Sequence, residues 1–268
     1  MIIVMIIAVD VGGTKTLVAG YKSDSSEPEA IFENKFPTPE NYEDFKAKLR
    51  EELQKYSSDI SALSIALPAI VKDGKVVRFA HVKWGEIDIL EDFKNDAPKI
   101  FINNDAALGA LSEAHAAGND YSRVLYVTLS TGIGTGFIID KDIDRLLPTE
   151  GGHMIVMHDG EPKIWERVAA GSVLYKRYGE YAEDMTDEEQ WKTYSYDVAV
   201  GLVSLSAVLL PDVIVLGGPV GGQLPKFKEF LMDHMSSLSS WYVPVPDVVA
   251  AEHPHKTVAR GCFYAAKN

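Results

Sequence analysis

The chain has 268 residues, long for one compact core and comfortable for two α/β domains, and its 46% hydrophobic and 24% charged content is that of a packed globular protein, not of a disordered or repetitive one. A formal net charge of -13 argues against nucleic acid or an anionic membrane as partner, and requires any phosphate ligand to be held by backbone amides and a divalent cation. The single cysteine, Cys262, excludes an intrachain disulfide and a cysteine-rich zinc site, which fits a reducing, cytoplasmic location.

Met1 to Val9 is apolar but too short to span a bilayer and lacks the basic start of a leader, so it reads as a core strand. Asp10-Val11-Gly12-Gly13-Thr14-Lys15-Thr16 follows, then a second apolar segment, Leu17 to Tyr21, and the pair reads as a β-hairpin whose Gly-Gly turn can adopt φ > 0. That turn carries a carboxylate, two bare amides and two hydroxyls, the equipment for a phosphate and its metal ion; the plainer reading is a tight turn and nothing more. Residues 22 to 40 read as loops around a short third strand at Ala30 to Phe32, and Tyr42 to Tyr56 as an amphipathic helix with Phe45, Leu49 and Leu53 on one face.

Ala62 to Leu67 is a strand ended by Pro68, and Asp73-Gly74 centres a hairpin over Val71 to Val77. A short helix is expected over Ile87 to Phe93. Ile100 to Ile102 is a strand that runs into Asn103-Asn104-Asp105, the kind of strand-to-helix junction where α/β proteins place their chemistry. Ala106 to Ala117 is an Ala-rich helix that stops at Gly118. Val124 to Leu129 and Phe137 to Ile139 are strands flanking a second glycine turn, Ser130 to Gly136, which repeats the opening arrangement. Both turns join strand to strand, whereas dinucleotide-binding and P-loop motifs need a helix after the glycines, so both of those are excluded.

Glu150-Gly151-Gly152-His153 reads as a loop, and Lys163 to Arg177 as one of the few basic stretches. Tyr181 to Trp191 reads as acidic surface helix and loop, Val198 to Leu210 as an apolar helix, and Val213 to Leu216 as a buried strand. The third glycine turn, Gly217 to Gly222, leads into a helix over Phe227 to Met235, and a last helix over Thr257 to Ala266 packs back on the first domain. The expected division is residues 1–103 plus 255–268 against 104–254.

Asp10-Val-Gly-Gly-Thr-Lys15, Asn104-Asp105-Ala106-Ala107, Leu129 to Gly136, Glu150-Gly-Gly-His153 and Leu216-Gly-Gly218 resemble, in order and spacing over nearly the whole chain, the sugar kinases of the ROK family within the actin-like ATPase superfamily. The resemblance implies a two-domain actin-like ATPase fold, α/β and ribonuclease H-like, with an interdomain catalytic cleft. It implies transfer of the ATP γ-phosphate to a hexose hydroxyl. Asp10, Gly12, Gly13, Thr14 and Lys15 then bind phosphate in the first turn, with Asp10 holding Mg2+ directly or through water. Thr131 and Gly132 form the second turn, and Gly217 and Gly218 lie beside the adenosine. Asn104 and Asp105 match the sugar-binding pair, Asp105 being the catalytic base, and Glu150, His153 and Glu166 match further sugar ligands. Two departures stand out. The family's cysteine-rich loop between His153 and Glu166 is missing, with only His158 near a ligand position, so no structural zinc is expected; and Ala69 replaces a glycine common in the loop that approaches the sugar.

Simpler roles exist for several of these residues. Asp105 could cap the Ala106 helix, His153 could be a structural hydrogen-bonding residue, and Glu166 could pair on the surface with Lys163 or Arg167. In an extended strand Glu150 and His153 would face opposite ways, and Gly151-Gly152 lets the chain bend to bring them together. The alternatives to an ATP-dependent glucokinase-like activity are a polyphosphate donor, suggested by the Lys163 to Arg177 cluster, and N-acetylmannosamine, N-acetylglucosamine or a keto-deoxy sugar acid as acceptor. A non-catalytic sugar sensor is more distant, because a repressor of this family needs a DNA-binding element ahead of the first strand. An actin-like assembly or chaperone ATPase is a further option, set back by the absence of long insertions. The sequence does not reveal an oligomeric state; homodimers are common in the family it resembles.

Overall fold

The structure is a computed structural model that describes residues 4–72, 75–80, 82–254 and 256–267. The Asp73-Gly74 turn, the first three residues of the N-terminal run and residues 255 and 268 of the expected C-terminal segment lie outside the described residues. The chain forms two compact units, Met1–Ser112 with Lys256–Asn268, and Glu113–His255.

In chain order the first unit holds β1 (Met5–Val11), β2 (Lys15–Lys22), β3 (Ala30–Pro37), α1 (Tyr42–Gln54), β4 (Ile60–Leu67), β5 (Ala69–Lys72), β6 (Lys75–Phe79), α2 (Ile89–Phe93), β7 (Ile100–Asn104) and the start of α3 (Asp105–Ala116). Its main sheet has the order β3-β2-β1-β4-β7, antiparallel from β3 to β1 and parallel from β1 to β7. One face buries Ile7, Val9, Leu63 and Ile65 against Phe45, Leu49 and Leu53 of α1 and Phe93 of α2. Asn41 starts α1, its side chain accepting from the Glu43 amide at 2.8 Å. The last helix, α9 (Thr257–Lys267), packs on β1 and β4, where the alternate positions Ala8, Ser64 and Ala66 are small and buried. Strand β3 extends past the expected Ala30–Phe32 because it is a sheet edge: Glu33 and Lys35 keep their side chains exposed, and Asn34 Nδ2 donates to Glu52 of α1 at 3.3 Å, while the backbone pairs with β2. Asp105, assigned from the sequence to the later domain, falls in the first unit, since the first turns of α3 continue directly from a strand of its sheet.

The second unit holds the end of α3, then β8 (Arg123–Leu129), β9 (Ile133–Ile139), β10 (Leu146–Thr149), β11 (Ile155–His158), β12 (Glu161–Ile164), α4 (Glu166–Ala169), α5 (Gly171–Tyr178), α6 (Glu188–Leu209), β13 (Val213–Gly217), α7 (Gly218–Gly221), α8 (Leu224–Leu238) and β14 (Asp247–Ala250). Its sheet, β10-β9-β8-β13-β14, repeats the first: three antiparallel strands, then two parallel ones. Leu125, Val127 and Leu129 bury against Leu202 of α6 and Phe227 and Leu231 of α8. Helix α6 is one element of 22 residues and takes in the acidic segment before Val198, because its first turns expose Glu188 and Glu189 while burying Trp191 and Tyr194. The β11–β12 hairpin occupies a stretch to which no element is assigned from the sequence; its Asp159-Gly160 turn, with φ 53° and 78°, is an Asp-Gly hairpin signal missed there. Among the described residues no helix is long and apolar enough to cross a membrane.

Candidate functional site

In the first unit the β1–β2 turn is built for close approach. Gly12 N donates to Lys15 O at 3.0 Å, and a Cβ on Gly12 would lie 2.8 Å from that oxygen. The expected positive φ is not used: neither Gly12 nor Gly13 adopts it, and the glycine is needed for room. Thr38 braces the turn from outside the strands, its amide donating to Thr14 O at 3.0 Å and its hydroxyl to Gly12 O at 2.7 Å. Gly13, Thr14 and Lys15 remain exposed.

Asp10 is the penultimate residue of β1, opposite Leu17 and Ala66. Burial first, and then the charge of Asp105, push its carboxyl up to about 7, against a lowering pull from Lys35. Two carboxylates held close enough to repel suit a hard divalent cation, which would take Asp10 and fill its remaining positions from phosphate oxygens and water. Among the described residues no cluster of three or more His, Cys, Asp or Glu side chains is arranged to hold a metal on its own.

At the junction of β7 and α3, Asn104 is the capping residue: its Oδ1 accepts from Ala107 N at 3.0 Å. Its Nδ2 donates to Ala69 O at 3.1 Å and so ties down the start of β5, directly after Pro68, where a loop was expected. Asp105 is the first residue of α3, with Oδ1 accepting from its neighbour's amide, Ala106 N, at 2.8 Å. Capping, the simpler role weighed for Asp105, is therefore performed by Asn104, and the positive end of the helix favours the ionised Asp105 carboxylate.

In the second unit the turn between β8 and β9 is closed by Ser130 N donating to Gly132 O at 2.9 Å and braced by Ser172 Oγ donating to Thr131 O at 2.6 Å. Glu166 comes to this turn, its Oε2 accepting from Ile133 N at 2.8 Å. Lys163, one of its suggested surface partners, pairs instead with Asp159 at 3.6 Å. Glu150 and His153 lie at the two ends of a single helical turn, Gly151–His153, with His153 Nε2 3.9 Å from Glu150 Oε2. The bend is fixed by Gly151 N donating to Thr135 Oγ1 at 2.9 Å and by Gly152 lying flat against Ile133. Burial raises the Glu150 pKa and the Glu166 charge adds to it, while His153 lowers it. Glu150, His153 and Glu166 are thus gathered around the start of β9.

Gly217 ends β13, and Gly218, at φ 75°, opens α7 beside Leu129 O, so the third glycine turn abuts the second. Within the Lys163–Arg177 stretch two of the four cations, Lys163 and Arg177, are paired with acids, and Arg167 and Lys176 are exposed. Arg177 pairs with the buried Asp197 at 2.7 Å, and His158 lies 3.1 Å from both Asp197 and Asp159. The braces Thr38, Thr135 and Ser172 were not legible in the sequence, since each works through a tertiary contact that no local pattern announces.

The profile of the ROK family matches residues 6–268. A fructokinase from Streptococcus mutans is 27% identical over 267 residues, covering 90% of this chain and 88% of its own. A xylose repressor from Bacillus subtilis is 25% identical over 203 residues, covering 65% of this chain and 52% of its own. Among solved structures, a ROK family glucokinase from Streptomyces griseus in complex with glucose and AMPPNP superposes with a TM-score of 0.77 at 21% identity, covering 98% of each chain.

Proposed function

The chain belongs to the ROK family, and on that premise we propose that it is a sugar kinase that transfers the γ-phosphate of ATP to a hexose hydroxyl. The observation that carries this reading is the Asp105 carboxylate at the N-terminus of α3, relieved of capping by Asn104. Phosphoryl transfer runs through a loose transition state, so the protein mainly aligns acceptor and donor and spreads charge over amides and metal. Asp105 accepts the proton of the attacking hydroxyl. Glu150, His153 and Glu166 orient the sugar, and Asn104 holds the start of β5 at Ala69. The backbone amides of Gly13, Thr14, Thr131 and Gly132 and the Lys15 ammonium meet the phosphates, Gly12 keeps the first turn tight, and Gly217 and Gly218 lie beside the nucleoside. Mg2+ bound at Asp10 would neutralise the phosphate charge.

Of the cations that suggested a polyanion, Arg177 and Lys163 are engaged by Asp197 and Asp159 and Arg167 and Lys176 are exposed, so polyphosphate stays a donor for the assay to test beside ATP. A sugar sensor, as in the repressor relative, needs the sugar ligands but no base at the acceptor hydroxyl. The test is a coupled assay with magnesium, crossing ATP and polyphosphate against glucose, fructose, mannose, N-acetylmannosamine, N-acetylglucosamine and a keto-deoxy sugar acid. Sugar-dependent turnover with ATP is expected, and Asp105→Ala should keep the fold and sugar binding while losing about 10²–10⁴-fold in kcat. Near wild-type turnover in that variant would remove Asp105 from the mechanism, and sugar binding without turnover on any pair would favour a sensor.

A further inference from the structure

We propose that the second phosphate turn is also the mount for the sugar-binding carboxylate, which makes Gly132 a positioning residue for the sugar as well as a donor amide for phosphate. The proposal rests on the reading of Glu166 as a sugar ligand and deepens it.

Three observations converge on one stretch of backbone. Glu166 Oε2 is hydrogen-bonded to Ile133 N, the first amide after Gly132. The space a Cβ on Gly132 would take is filled by that same oxygen, with the Glu166 carboxyl carbon 3.0 Å from the Cβ position. On its other side Ile133 receives Gly152, the residue beside His153, so closely that no side chain fits there either. The amide of Ile133 holds one sugar ligand and its carbonyl side seats the loop carrying two others. With Oε2 engaged by the backbone, Oε1 is the Glu166 oxygen left for a sugar hydroxyl. A side chain at position 132 would leave the turn's own amides in the chain but would expel the Glu166 carboxylate from its seat, because a flexible glutamate yields more readily than the backbone of a strand.

The consequence is a crossed phenotype: a substitution in the phosphate turn that weakens sugar binding with no nucleotide present. The experiment is isothermal titration of the nucleotide-free protein with each sugar of the panel above, using wild type, Gly132→Ala, Glu166→Ala and the double variant. Gly132→Ala is expected to weaken the sugar that binds wild type by tenfold or more. The double variant should match Glu166→Ala within a factor of two, because with the carboxylate gone there is nothing left to displace. A Gly132→Ala protein with the sugar affinity of wild type would overturn the proposal, as would single-variant losses that multiply in the double. Wild type that binds none of the sugars would overturn the sugar-kinase reading itself, and this proposal with it; circular dichroism of each variant separates displacement from misfolding.

Discussion

At the scale of single residues, the two carboxylates of the first unit carry an electrostatic cost that can be measured without any substrate. The Asp10 pKa is raised to about 7 in the folded chain, from 3.8 in the unfolded one. The folded state therefore holds the proton more tightly, and ionising Asp10 lowers stability progressively as pH rises from about 4 to about 7, in full above that. Asp10→Asn lacks this cost. In metal-free buffer it should unfold at higher urea than wild type at pH 8, by up to about 4 kcal/mol, and the advantage should vanish near pH 4. Equal midpoints at pH 8 would show that the carboxylate is better solvated than its surroundings suggest. The neighbouring pair marks how far the sequence could be read: Asn104-Asp105 stood out at the end of an apolar strand, but which of them caps α3 depends on side-chain rotamers set by Ala69 and Ala107, partners the sequence does not reveal.

At the scale of elements, Asp197 is the knot of the second unit. From the middle of α6 its carboxylate meets Arg177 of α5 at 2.7 Å and His158 of β11 at 3.1 Å, and its backbone oxygen accepts from Trp165 Nε1 at 2.9 Å. The acid itself secures β11 through His158, and the hairpin β11–β12 leads directly into Trp165 and Glu166; the Trp165 bond, made to the backbone oxygen, does not depend on the side chain. Arg177 stays partly in water when its partner goes, so Asp197→Ala should cost about 1–3 kcal/mol in urea unfolding. The same variant should raise the sugar KM more than the ATP KM; an unchanged sugar KM would detach this knot from the site. The sequence offered Asp159-Gly160 as a hairpin signal, yet the short β11 and β12 expose Ile155 and Met157 and lack the clean alternation that identifies a strand. Strands β10 and β14 escaped for a related reason: four residues at a sheet edge need no apolar face of their own.

At the scale of the whole molecule, the two units are one topology used twice, and this was partly legible: the echo of strand, glycine turn and strand at Asp10 and at Ser130 is the β1–β2 and β8–β9 hairpin of each sheet. What the echo could not supply was the parallel half, whose pairing of β1 with β4 and β8 with β13 spans long stretches of chain. Helix α9 belongs to the first unit and is anchored there by Phe263, fully buried and 5.5 Å from Tyr21 between ring centres. Phe263→Ala should therefore destabilise by about 3–5 kcal/mol. Hydrogen exchange should show the loss in β1 and β4 while α6 and α8 stay protected; uniform loss across both sheets would mean that the two units unfold together.

That late return has a consequence for how the protein is made. The first unit is encoded in two pieces, and its closing helix is translated only after all of residues 113–255. At roughly 5–20 residues per second, the ribosome adds those residues over about 7 to 30 s, during which the nascent sheet of the first unit waits with one apolar face open. The contiguous second unit can be complete while the first is still unfinished, so the order of maturation is the reverse of the order of synthesis, and the N-terminal strands are the part of the nascent chain that a holdase chaperone would shield.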